Sequence, residues 1–173
     1  HQFYNQRIRI DINICQNVAK DVVSFITESC EVLEKLYSAV DMDDRDLEDA
    51  RNEFEEAAGE EKDCIENLLD CLGYIIRYCG DSIAPCFNSI ISPMCQKYMT
   101  SSYEYIRFVG ICPIDDMMLY ATSVVSGLVA DILAFFGSNM TCEDPSLRQA
   151  VLFGIKIIVE KYPQNLQAAS HVR

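Results

Sequence analysis

Along most of the chain, apolar residues return every three or four positions, the spacing that lines one face of an α-helix. Ile83, Phe87, Ile90, Ile91, Met94, Cys95 and Tyr98 stand at offsets 0, 4, 7, 8, 11, 12 and 15. Leu147, Val151, Gly154, Ile155, Ile158, Val159 and Tyr162 repeat those offsets, so two helices share one template. Ile65, Leu68, Leu69, Leu72, Ile76 and Cys79 form a third stripe. Tyr103, Ile106, Gly110, Ile114, Met117 and Met118 form a fourth, with a kink expected where Pro113 removes a backbone donor. Val18, Val22, Phe25, Ile26, Ser29, Leu33, Leu36 and Tyr37 form a fifth. The stretch Met117 to Gly137 has the length of a membrane span and one charge, Asp131. Its apolar positions Ala121, Val124, Val125, Leu128, Val129, Ile132, Leu133 and Phe136 nevertheless fall on one stripe, opposite Thr122, Ser123, Ser126 and Asp131, which predicts an amphipathic helix. Ile8, Ile10, Ile12 and Ile14 alternate like a strand. With no partner strand, a frayed or helical N-terminus is expected.

Capping chemistry marks the boundaries. Asp144 precedes Pro145, an N-cap carboxylate before a proline at the first helical position, and Gly80 and Gly137 follow apolar runs where a left-handed C-terminal residue is wanted. The connections at 80–82 and 100–102 are so short that the helices they join must pair antiparallel. Each pair leaves an apolar stripe for the next to cover, and that predicts an all-α solenoid. Gly73, Gly110 and Gly154 sit in similar apolar-Gly-apolar cores spaced 37 and 44 residues apart, near the period of HEAT and armadillo arrays.

Charge changes the picture in one place. The chain has 173 residues and a formal net charge of −13, which excludes nucleic-acid binding by bulk charge. From Glu28 to Asp70 there are 17 acids against 4 bases, so this segment carries the whole net charge. Its centre is Asp41, Asp43, Asp44, Asp46, Glu48, Asp49, Glu53, Glu55, Glu56, Glu60 and Glu61, either a solvated face or a surface that attracts basic partners. The two histidines, His1 and His171, lie at the chain ends, and no phosphate loop or nucleophile set is present. Enzymatic activity, a metal and a cofactor are therefore not expected. The nine cysteines include no C-x-x-C pair, and their odd number favours reduced packing thiols over disulfides or zinc. No segment reads as a signal peptide, which favours the cytosol or nucleus. Asn139-Met140-Thr141 matches a glycosylation acceptor by chance in such a compartment. Asp115 and Asp116 are the tightest carboxylate pair outside the acidic block. Adjacent helical positions point about 100° apart, so the pair is expected to be solvated or partner-facing rather than convergent on one ligand. Arg148 stands four residues after Asp144, the spacing of a ladder or capping role.

Asp144-Pro145-Ser146-Leu147-Arg148-Gln149-Ala150-Val151 followed by Phe153-Gly154-Ile155 resembles the signature of the first (A) helix of HEAT repeats. Ile83-Ala84-Pro85-Cys86-Phe87, Ile90-Ile91-Ser92-Pro93, Ile111-Cys112-Pro113-Ile114-Asp115-Asp116 and Pro145 to Ala150, in that order, resemble the C-terminal third of the importin-beta family of nuclear transport receptors, karyopherin-beta-3 type. Cys86 and Phe108 stand where tryptophans are expected in that family, and an acid-rich region precedes the matching stretch there as here. The resemblance implies a HEAT-repeat α-α superhelix fragment. Residues 1–40 would be the N-terminal helical segment of a repeat, 41–61 an acidic helix or loop insertion, 62–162 about two and a half repeats and 163–173 a tail. It further implies a receptor that shuttles between cytoplasm and nucleus, binding basic cargo such as ribosomal or histone-like proteins. Phenylalanine-glycine nucleoporins would dock between neighbouring A helices, and the Ran GTPase would be contacted only through repeats outside this chain. Neither membrane nor direct nucleic-acid contact is implied. Another HEAT scaffold, of a phosphatase or of translation, is the alternative.

Overall fold

The structure, a computed structural model, describes residues 11–40 and 48–165. It is all-α, with no strand among the described residues. Helix α1 spans Ile12–Val40 and α2 spans Glu48–Cys79. A 3-10 turn, Gly80–Ile83, leads into an irregular arm made of α3 (Ala84–Cys86), a π-helical stretch (Phe87–Ile91) and α4 (Ser92–Met99). Helix α5 is Glu104–Tyr120. A second broken arm follows, α6 (Thr122–Val125), a 3-10 turn and α7 (Val129–Asn139), and α8 is Pro145–Lys161.

These elements form three hairpins. In the first, Ser29 meets Cys64 and Tyr37 meets Phe54, so positions rise along α1 as they fall along α2 and the pair is antiparallel. The α3–α4 arm pairs with α5, and the α6–α7 arm with α8. The second helices α2, α5 and α8 lie side by side. The Tyr105 hydroxyl donates to the Lys62 carbonyl at 3.1 Å and the Arg77 guanidinium stacks on the Tyr120 ring, so α2 and α5 run parallel with an offset of 43 residues. At their ends Tyr162 donates to the Met118 carbonyl at 3.1 Å and Lys161 to that of Leu119 at 2.6 Å, and at their starts Glu104 accepts from the Asp144 N–H at 2.6 Å, so α8 runs parallel to α5 with offsets of 44, 42 and 40. Helix α5, between the other two, buries Tyr105, Ile106, Val109, Ile111, Ile114, Met117 and Met118 and so is covered on more than one side.

Most stripe positions are buried. Val18 and Phe25 on α1 and Val159 on α8 are exceptions, at 44%, 55% and 54% exposure. The inner line of α1 is Cys15, Ala19, Val22, Val23, Ile26, Cys30 and Leu33. Ile12 and Ile14 are helical and exposed, and Ile8 and Ile10 lie outside the described residues. The segment expected as one helix from Met117 to Gly137 is broken at Ala121, which ends α5 with φ −131°, and again at 126–128. Its stripe survives the breaks, because Ala121, Val125, Val129, Ile132 and Phe136 are all buried. Thr122–Asn139 keeps a mean hydropathy of 1.3 over 18 residues, with Thr122, Ser123, Ser126 and Asp131 on its exposed side.

Gly80 has φ +53°, a left-handed helix end as expected, whereas Gly137 lies inside α7, which continues to Asn139. Helix α5 is unbroken through Pro113. The three core glycines do permit close approach, but they are not equivalent repeat positions. Gly110 abuts the backbone of α4 within its own hairpin, while Gly73 and Gly154 abut Asp116 and Asp115 of α5 from its two sides. All nine cysteines are free thiols, six of them buried, and burial pushes Cys30 up to about 12. Asn139 is buried, accepting from Arg107 Nε and donating to the Phe135 carbonyl, both at 2.9 Å, so its amide is committed to packing.

Candidate functional site

Helical spacing places three short rows of side chains on one cleft. Helix α5 contributes Phe108, Cys112, Asp115 and Asp116, one face over two turns, and α2 contributes Glu66, Leu69 and Asp70. Ser146, Gln149, Ala150 and Phe153 of α8 complete a cavity of about 400 Å³. Its lining holds four carboxylates and no basic side chain.

Asp115 and Asp116 do diverge, Asp115 towards Gly154 of α8 and Asp116 towards Gly73 of α2. The divergence does not separate them, because the cleft spans all three helices. The expectation of a solvated pair is corrected for Asp115, which is 4% exposed. Its Oδ1 has no hydrogen-bond partner, an uncommon state for a buried carboxyl oxygen. A methyl group at Gly154 would lie 2.5 Å from that oxygen, which therefore packs against an α-carbon that only glycine leaves bare. Burial, and then the charge of Asp116, push the Asp115 carboxyl well above the ordinary carboxylate range. Asp116 is raised to about 6, by burial first and Asp70 second. Asp70 and Asp116 also border a smaller hollow of about 150 Å³ that contains Arg77 and Tyr120. Among the described residues no three His, Cys, Asp or Glu side chains are placed to hold a metal ion.

The acidic block is only partly described. Asp41, Asp43, Asp44 and Asp46 lie outside the described residues, and Glu48 and Asp49 are in the first turn of α2. Glu53, Glu55, Glu56 and Glu60 are exposed and Glu61 half-buried along the same helix. The described part of the block is thus the first half of α2, continuous with the half that reaches the cleft through Glu66 and Asp70. It rests on the fold through Phe54, whose ring is 6.2 Å from that of Tyr37, and through buried Ala58.

Asp144 caps α8, its Oδ1 accepting from the backbone N–H groups of Ser146 at 2.9 Å and Leu147 at 3.0 Å. Arg148 takes a capping role too, but its guanidinium donates to the carbonyls of Cys142 and Glu143 rather than to the Asp144 carboxylate. The motif from Asp144 to Ile155 opens α8, which pairs with the α6–α7 arm. Sequence reasoning missed that Arg107 does the same work in α5: it donates to the carbonyls of Ser101 and Ser102, again six and five residues back. Glu104 ties the two turns together by accepting from the N–H groups of Glu143 at 2.8 Å and Asp144 at 2.6 Å. The signal was the spacing, since Arg107 and Arg148 each stand four residues after a helix N-cap.

No family model matches the chain, and no curated protein and no solved structure matches it with significance.

Proposed function

We propose that the chain is a HEAT-repeat segment of a nuclear import receptor that binds basic cargo on the face formed by α2, α5 and α8. The observation that carries this reading is the cleft at the junction of those helices, lined by Glu66, Asp70, Asp115 and Asp116 and by no base. The exposed glutamates of α2 extend the same sign of charge along one helix. The offsets of 39 to 44 residues between the second helices, and the paired roles of Arg107 and Arg148, support the repeat part of the proposal. Basic ribosomal or histone-like proteins complement this face. Phenylalanine-glycine nucleoporin segments would use grooves between the first helices, and Ran would act through repeats beyond this chain. The segment works by binding, not catalysis, in a receptor that shuttles between cytoplasm and nucleus.

The test is equilibrium binding of the intact chain to a core histone and to an acidic protein of similar size over a range of salt. The proposal expects histone binding that weakens steeply with salt, because exposed charges are screened within about 10 Å at 0.1 M. Equal affinity for the acidic protein would overturn it.

A further inference from the structure

We propose that the junction of α5 with α8 is a proton-operated hinge: the third hairpin lies closed on α5 while Asp115 is neutral and rolls off it when Asp115 ionises. The device needs no partner, so it stands apart from the basic-cargo reading. Three features of the junction carry it.

The first is the seat of the Asp115 carboxyl. Its Oδ1 is buried without a hydrogen-bond partner and packs on the bare α-carbon of Gly154, with the Phe136 ring of α7 against the same glycine. A neutral carboxyl loses one hydrogen bond there, whereas a carboxylate would be an unpaired buried charge, which costs far more. The second feature is that no opposite charge offsets that cost. Asp115 shares its surroundings with Asp116 and Cys112 of α5, Glu66 and Asp70 of α2, and the uncharged Ser146 and Gln149 of α8. Arg77 of α2 borders the smaller hollow on the Asp116 side of α5, away from Gly154. Burial and the charge of Asp116 therefore hold the proton on Asp115 well above the ordinary carboxylate range. Asp116 differs because it borders that hollow and faces Gly73 of α2, so it ionises without lifting α8.

The third feature is a route for movement. Helix α5 passes to α6 through one residue, Ala121, with φ −131° and ψ 52°. At the other end of α5, Glu104 accepts from the N–H groups of Glu143 and Asp144 in the turn before α8. A roll of the third hairpin about these two points keeps both and lifts α8 off the flank that carries Asp115. Gly154 then leaves Oδ1 open to water, and the bond from the Tyr162 hydroxyl to the Met118 carbonyl, three residues from Asp115, parts. The Asp115 O–H bond breaks, the proton goes to solvent and water hydrates the carboxylate. Raising the pH drives opening and lowering it drives closure, because the closed state binds the proton more tightly.

The test is hydroxyl-radical footprinting of the intact chain from pH 5 to pH 9, normalised at each pH to a free peptide and accompanied by far-UV circular dichroism. The reporter is Tyr162, buried in the closed state, and the references are Met94 and Tyr98 of α4, buried away from the hinge. The proposal expects Tyr162 labelling to rise severalfold with pH along a one-proton curve, at constant helicity, while both references stay protected. Asp115→Asn should remove the rise and leave Tyr162 protected throughout, and Asp116→Asn should keep it. Equal protection of Tyr162 at pH 5 and pH 9 would refute the hinge. So would a rise shared by Met94 and Tyr98, which is general loosening, or a rise that persists in Asp115→Asn. The pH response is read on the parent chain, so the outcome does not depend on how either variant folds.

Discussion

The first half of α2 and the middle of α5 carry the same functional group in opposite surroundings. Glu53, Glu55, Glu56 and Glu60 are exposed along the first half of a long helix. Asp115 is enclosed between α5 and α8 with an oxygen unpartnered, and Asp116 is half-enclosed against α2. Exposed charges act at a distance, speed encounter and are weakened by salt. Enclosed ones cost folding energy when ionised, so they remain only where the fold or a ligand gives a reason. The comparison teaches that the acidic residues of this chain are not one surface: one set is solvated along α2, and the other is enclosed between helices.

The comparison breaks most visibly at two glycines. Gly154→Ala would drive a methyl into the Phe136 ring and towards Asp115 Oδ1, an overpacking that should cost on the order of 1–3 kcal/mol in chemical denaturation. Next in size is the pH dependence. The folded-state pKa of Asp116, about 6, lies above its unfolded value of 3.8, so the folded state holds the proton more tightly. The contribution of this group to stability should therefore be greatest below about pH 4 and be lost as pH rises through 6, and the upward shift of Asp115 acts in the same direction. Asp115→Asn, which removes the need to ionise, should raise Tm at pH 8 and change it little at pH 4. An unchanged Tm at pH 8 would mean that Asp115 is ionised without penalty. In the outer region the same kind of glycine change should have the opposite sign. A methyl at Gly59 meets nothing within 4 Å, so Gly59→Ala should stabilise by roughly 0.5–1 kcal/mol through helix propensity alone. Smallest of all, replacing Glu53, Glu56 and Glu60 together by Gln should shift stability by no more than about 0.5 kcal/mol. The same change should flatten the salt dependence of histone binding.

The helices themselves were legible because their stripes obey one period, and the breaks at Ala121 and 126–128 left that stripe in register. The ends were legible where a side chain makes the cap, as at Asp144, and not where context overrules a residue, as at Gly137. The cleft was half legible. Asp115 and Asp116 stand out as a pair, and their divergence along one helix follows from its geometry. That α2 and α8 lie on either side, bringing Asp70 and Gly154 against them, depends on how three helices register over offsets of 39 to 44 residues. Gly110 hid that register: it looks like the partner of Gly73 and Gly154 in the chain, yet it faces α4. Arg107 could have corrected the alignment, since it and Arg148 make the same bonds at the starts of α5 and α8.

The most direct measurement is a carboxyl-carbon NMR titration of the free protein from pH 3 to pH 9. The account predicts a midpoint for Asp116 near 6 and one for Asp115 well above the ordinary carboxylate range. Midpoints near 4 for both would contradict it, because the cleft would then hold ordinary solvated carboxylates.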